Sequence, residues 1–99
     1  MEDRVLPLGT IVLLKDGDGS RLMIVSRASI VEDRKKEVFY DYGAVLIPQG
    51  MLSPEAVYFF NKENVETVLF EGFKSEEEEA FAEQYDEMVS QTKVPKGSV

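Results

Sequence analysis

The side chains in this sequence that chemistry could use are nearly all carboxylates. Asp16-Gly17-Asp18-Gly19 resembles the opening of a calcium loop, in which acidic oxygens recur at alternate positions. Such a loop closes with a bidentate Glu at its twelfth position, and counting from Asp16 that place holds Arg27. A polar hairpin turn is the better reading, because Asp-Gly pairs tolerate positive φ. Asp41, set between Tyr40 and Tyr42, has the right group for a general acid. No second acid, base or nucleophile keeps fixed company with it, so an Asp on the wet face of a strand is expected. The run Glu76-Glu77-Glu78-Glu79 reads as a solvated helix start, since adjacent helical residues splay around the axis and do not converge on a metal. Gly9, Gly17, Gly19 and Gly43 form no phosphate-binding spacing. The chain has no His and no Cys, which removes the commonest general base, the thiol nucleophile and thiolate metal sites. No catalytic residue, metal or cofactor is expected.

Composition sets the outer limits of what these residues can be part of. A chain of 99 residues makes one domain with a single modest core. Its apolar fraction of 43% is ordinary for a folded protein. Nineteen acids against eleven bases give a net charge of −8, which disfavours nucleic acid and anionic membrane as partners. Basic or amphipathic protein surfaces are the natural complement. Met1-Glu2-Asp3-Arg4 lacks a basic leader, and no stretch approaches the roughly 18 apolar residues of a membrane span, so a cytoplasmic protein is expected.

The elements that would position these groups are mostly strands. Thr10 to Leu14 and Leu22 to Ser26 are β-branched and apolar, and Asp16 to Ser20 between them supplies turn chemistry, so residues 10–26 read as a hairpin. Glu32 to Lys36 is a mixed-charge solvated loop. Val38 to Tyr42 alternates and passes Gly43, a candidate bulge or bend, into Ala44 to Pro48. Ser53-Pro54-Glu55 could begin a helix, but Ala56 to Phe60 is aromatic and β-branched and is read as a strand. Asn61 to Val65 is a single helical turn capped by Asn61, leading to the strand Thr67 to Phe70. Five antiparallel strands rolled into a small SH3-like barrel or a strongly curved sheet, over about residues 6–72, hide the edges most economically; an open antiparallel sheet backed by the helix is the alternative.

The C-terminal part is a helix over about residues 75–92. Ser75-Glu76-Glu77-Glu78 is a capping box, and the acids favour the positive end of the helix macrodipole. Phe81, Tyr85 and Met88, with Val89, form its apolar stripe. Residues 71–99 hold eight acids and three bases, so the acidic bias is concentrated there. Residues 1–93 form the predicted domain. Pro95 ends the helical pattern, and residues 94–99 are predicted to be a disordered tail. Six of the ten aromatics have been spent by Phe60, more than one small core accommodates. Tyr40, Tyr42 and Tyr58, rimmed by Asp41 and Glu55, are therefore predicted to form an outward partner-binding patch, with part of the aromatic surface covered by Phe81 and Tyr85.

Leu6-Pro7-Leu8-Gly9-Thr10, Leu22 to Arg27, Tyr40-Asp41-Tyr42, Pro48-Gln49-Gly50 and Phe60-Asn61 through Phe70-Glu71-Gly72-Phe73 carry a resemblance over roughly residues 5–85. The chain resembles a family of small acidic proteins of Gram-positive bacteria encoded beside type VII secretion genes and their toxins. The resemblance implies a cytoplasmic export chaperone or adaptor that holds a toxin or its targeting region, with the secretion ATPase as a further partner. A monomer or weak homo-oligomer, without nucleic acid or membrane, fits that role. The alternative is an immunity protein that caps a toxin's active site, for which an acidic surface suits a basic nuclease.

Overall fold

The computed structural model describes residues 4–99; Met1–Asp3, which the sequence reading placed in the domain, lie outside the described residues. Five strands, β1 (Ile11–Leu14), β2 (Arg21–Asp33), β3 (Lys36–Ile47), β4 (Tyr58–Phe60) and β5 (Val65–Phe70), are followed by helix α1 (Glu76–Ser90). A 3-10 turn at Lys62–Asn64 joins β4 to β5. The strands form one antiparallel sheet in the order β4-β3-β2-β1-β5. Since β4 and β5 do not pair, the sheet is open, and the expected barrel closure is not seen. The fold is α+β.

The longest ladder replaces a predicted loop. Arg34 and Lys35 have φ of 52° and 69°, the pair of positive values a two-residue type I′ turn needs, so β2 and β3 pair down to Asp33↔Lys36. Arg-Lys carries no turn signature comparable to Asn-Gly, and the charged run therefore read as a loop. Midway along the ladder Val25 is extra: Ile24 pairs with Ala44 and Ser26 with Gly43. The bulge lies on β2, opposite the glycine where it was expected. Gly43 is required for another reason. A Cβ there would collide with the Ser26 hydroxyl, itself bonded to Ser29 Oγ at 2.7 Å, and would press on the Phe59 ring.

Val12, Leu22, Ile24, Tyr42, Ala44 and Phe60 from the sheet meet Tyr85 of α1 in the core, with Phe81, Ala82 and Val89 packed around them. Each large side chain buried there contributes about 1.5–3 kcal/mol. Phe81, Tyr85 and Val89 are four residues apart and form one row on the helix. Met88 falls off that row by about 60° at roughly 100° per residue and is exposed, contrary to its expected place in the stripe. Ser75 caps α1 by accepting from the Glu78 N–H at 3.1 Å. The Glu78 carboxylate does not complete the capping box. It turns to the sheet and pairs with Arg27, whose guanidinium lies 4.2 Å from the Phe81 ring centroid.

The tail differs most from expectation. Pro95 and Gly97 bracket Phe39 with two backbone hydrogen bonds, Phe39 N–H to Pro95 O at 2.9 Å and Gly97 N–H to Phe39 O at 2.8 Å. The segment forms a parallel bridge on the edge of β3, and the prediction of a disordered tail is corrected over these residues. Its attachment uses backbone and polar groups, which an apolar-pattern reading does not register. Among the described residues no helix is long and apolar enough to cross a membrane.

Candidate protein-binding surface and the buried Asp41 cluster

Every residue of β3 from Phe39 to Val45 is buried, so both faces of its middle are covered. This overturns the predicted aromatic patch. Tyr42 is 1% exposed and stacks obliquely on Phe60, with ring centroids 5.5 Å apart. Its hydroxyl accepts from the Leu6 N–H at 2.9 Å. Tyr40 is buried against Phe59 and Gly97. Only Tyr58 and Glu55 are exposed, at β4 and in the loop before it, near the exposed Met51 and Leu52 in sequence. The five residues chosen for the patch do not share one surface.

Asp41, expected on a wet face, is 1% exposed and lies at a junction of four chain segments. Its Oδ1 accepts from the Tyr85 hydroxyl at 2.9 Å. Its Oδ2 accepts from the Lys62 N–H at 2.9 Å and is paired with Lys96 Nζ at 3.1 Å. Its own N–H donates to Asn61 Oδ1 at 3.0 Å, and Asn61 Nδ2 in turn donates to Gly97 O at 2.8 Å. The 3-10 turn is closed by Asn64 Oδ1, which accepts from the Asn61 N–H at 2.8 Å. β2 adapts opposite: Ala28 holds a left-handed φ of 51°, two residues from the Val25 bulge region at Ser26, and its backbone amide lies against the Tyr85 hydroxyl.

The electrostatics of this cluster suit anchoring. Burial pushes the Tyr85 hydroxyl well above its ordinary value of 10.0, and the adjacent Asp41 charge pushes it further. Burial likewise raises Tyr42, with a hydrogen bond from the Leu6 backbone opposing. Both phenols therefore stay protonated as donors or acceptors at neutral pH. Lys96 loses some solvation, which disfavours its charge, but Glu63 and Asp41 outweigh this and raise it above 10.5. With these partners Asp41 is a tethered carboxylate. Among the described residues no buried side-chain nitrogen or oxygen lacks a partner, and no cluster of three His, Cys, Asp or Glu could hold a metal. Asp16 and Asp18 lie in a turn, where Asp18 accepts from the Ser20 N–H at 2.9 Å; those Ser20 hydrogen bonds hold its carboxyl below the ordinary value.

The unsatisfied surface lies at the other edge, which no sequence signal singled out. All of β5 from Glu66 to Phe70 is exposed, and three of those residues are Val68, Leu69 and Phe70. Directly after it Gly72 crosses the N-terminal segment so closely that a Cβ would strike the Leu8 carbonyl. The Gly72 N–H donates to Thr10 Oγ1 at 3.0 Å, fixing the crossing. Leu8, Phe70 and Phe73 lie within two residues of it and are 45%, 60% and 83% exposed. On the other flank a groove of about 630 Å³ is lined by Leu6, Tyr42, Val65 and Val68, with Lys15, Lys62, Glu66 and Asp86 among its charged walls. The β-branched and apolar run Thr67 to Phe70 made a strand legible; that both its faces would be bare was not, because exposure depends on where the strand falls in the sheet.

The family described as Domain of unknown function (DUF4176) matches residues 5–81. The chain belongs to that family. The match spans all five strands of the DUF4176 domain and the first six residues of α1, including Asp41, Asn61 and β5. It stops short of Tyr85 and Lys96, two of the partners of Asp41. Comparison with curated proteins gave no match, and neither did comparison with solved structures.

Proposed function

We propose that this DUF4176 protein is a non-enzymatic, cytoplasmic binding module, a chaperone or adaptor for a toxin exported by type VII secretion. The observation that carries the binding role is the exposed apolar strand Val68-Leu69-Phe70 with Phe73 and Leu8 beside it. Several large apolar side chains left exposed along one strand and its flanks support a surface on which another macromolecule docks. The toxin and its secretion locus come from the sequence resemblance, and the net charge of −8 favours a basic protein surface over nucleic acid. Asp41 serves this role indirectly by holding α1, the 3-10 turn and the tail against β3.

We also read the sheet as SH3-like. The long β2 lies between β1 and β3, a 3-10 turn links β4 to β5, and β5 returns to β1, a connectivity that supports this reading although the outer strands do not pair. The test of function is co-purification of the tagged protein with the adjacent long toxin and with its separated halves. Retention without loss of toxicity supports the adaptor. Retention only by the toxic half, with toxicity abolished, supports an immunity protein instead. No retention by any part of the toxin rejects both.

A further inference from the structure

We infer that the outer edge of β3 at residues 39–41 is a peptide-binding site, that residues 95–98 fill it in cis as an exchangeable strap, and that it takes in trans an extended segment of another protein carrying Lys-Gly. The site is separate from the exposed strand β5 and goes beyond the adaptor reading.

The strap is held as a ligand is held. β4 pairs with β3 at Tyr42 to Ala44, which leaves the edge before it to the tail. Phe39 donates its N–H to Pro95 O and accepts from the Gly97 N–H, so the strap adds to the sheet as a short parallel strand. Between those two bonds Lys96 Nζ reaches Asp41 Oδ2 and Glu63 Oε1, each at 3.1 Å. Asp41 is buried, and a buried carboxylate deprived of its cation is costly, so this position demands a base. Asn61 Nδ2 donates to Gly97 O at 2.8 Å and fixes the register. The Gly97 position has no room for a side chain: a Cβ there would lie 2.5 Å from Tyr40 Cζ, and that ring is itself packed on Phe59. Backbone bonds supply attachment, and Lys followed by Gly supplies the reading.

The occupant can be replaced. Pro95 and Val99 are exposed, and Lys96 keeps 37% of its side chain in solvent, so the ion pair is open to an incoming ammonium. Exchange is favoured over simple opening, because an incoming segment replaces each bond as the strap leaves and Asp41 keeps a cation throughout. Phe39, Tyr40, Asp41, Asn61 and Glu63 lie within the family match at residues 5–81, whereas the strap lies outside it. The site is thus part of the domain, and its occupant need not be. A second copy is the poorer occupant: a swapped tail regains only the contacts it gave up and brings −8 against −8.

The experiment uses the full chain as wild type, K96E and G97A, with the end-blocked probe Val-Pro-Lys-Gly-Ser-Val and counterparts with Gln for Lys or Ala for Gly. K96E sets a carboxylate against Asp41 and Glu63, and G97A drives a methyl into Tyr40. Each should release the strap and speed exchange of the Phe39 amide, with the β2–β3 amides still protected as proof of folding. The probe should restore protection at Phe39 and bind both variants at least about tenfold more tightly than the wild type, whose site is filled in cis. The Gln and Ala counterparts should bind at least about tenfold more weakly than the probe. Equal binding of either counterpart, no binding to either variant up to about 1 mM, or wild-type binding as tight as the variants' overturns the inference. So does a Phe39 amide unmoved in both variants, or a concentration-dependent wild-type dimer with exchanged tails. Unfolding of both variants would make the strap an integral part of the fold and overturn it too. Co-purification of the toxin is scored separately, so the adaptor reading and this site can fail independently.

Discussion

A carboxylate buried between two tyrosines in sequence has the makings of an active-site acid, and its partners decide against that role. Asp41 accepts from a phenol, a backbone amide and an ammonium, so a substitution is read first in stability. Asp41→Ala leaves the buried Tyr85 hydroxyl and the Lys62 N–H without their acceptor and is expected to cost about 3 kcal/mol. Asp41→Asn retains an acceptor and should cost about half as much, a difference that urea midpoints resolve. Alkaline pH probes the same cluster. Tyr42 and Tyr85 are raised, so the unfolded chain releases their protons near 10.0 while the folded protein still holds them. Lys96, also raised, adds stability that is present below 10.5 and lost as pH climbs through its folded value. All three give the same sign: the melting temperature should fall as pH rises above about 10, and Tyr85→Phe should flatten that fall. A slope unchanged by Tyr85→Phe would show that its hydroxyl is not buried as described. Sequence could not show any of this, since Asp41 meets Lys62, Tyr85 and Lys96 only after the chain has folded back on itself.

At the level of elements, the features that repeat were legible and those that depend on one contact were not. The first hairpin, the Asn61 turn and the Ser75 cap follow from turn residues and local hydrogen bonding, and each stands close to its expected place. The Arg34-Lys35 turn was missed because both residues adopt a conformation that favours Asn and Gly. Its strain makes a prediction. Replacing the pair with Asn-Gly should stabilise the protein by about 1–2 kcal/mol, raising the melting temperature by roughly 4–8 °C for each kcal/mol. A lower melting temperature would mean that one of the two side chains makes a contact worth more than the strain. Gly43→Ala runs the other way. Its methyl must displace Ser26 or Phe59, and a loss of about 1–3 kcal/mol is expected in denaturant titrations.

For the molecule as a whole, the sequence conveyed the inventory of strands, the acidic helix and the class of fold, but not the closure of the sheet or the fate of the tail. Both depend on which edges pair, and edge pairing is a property of the assembled sheet. The docked tail changes an expectation that can be measured. Truncation after Lys93 removes the Lys96 ion pair, the Asn61–Gly97 bond and both hydrogen bonds to Phe39, and the melting temperature should drop by about 5–10 °C. An unchanged melting temperature would return these residues to the category of a dispensable tail.

The junction at Asp41 also bears on how the protein opens. A strand, a 3-10 turn, a helix and the last residues of the described chain all terminate hydrogen bonds on this residue or on its neighbour Asn61. Fraying at any one of them weakens the electrostatic hold on the others, so these segments belong to a single cooperative unit and do not breathe independently. β5 makes none of these bonds and, among the described residues, pairs within the sheet with β1 alone. Amide exchange is therefore expected to slow together in the segments that meet at Asp41 and to run faster along the exposed outer strand.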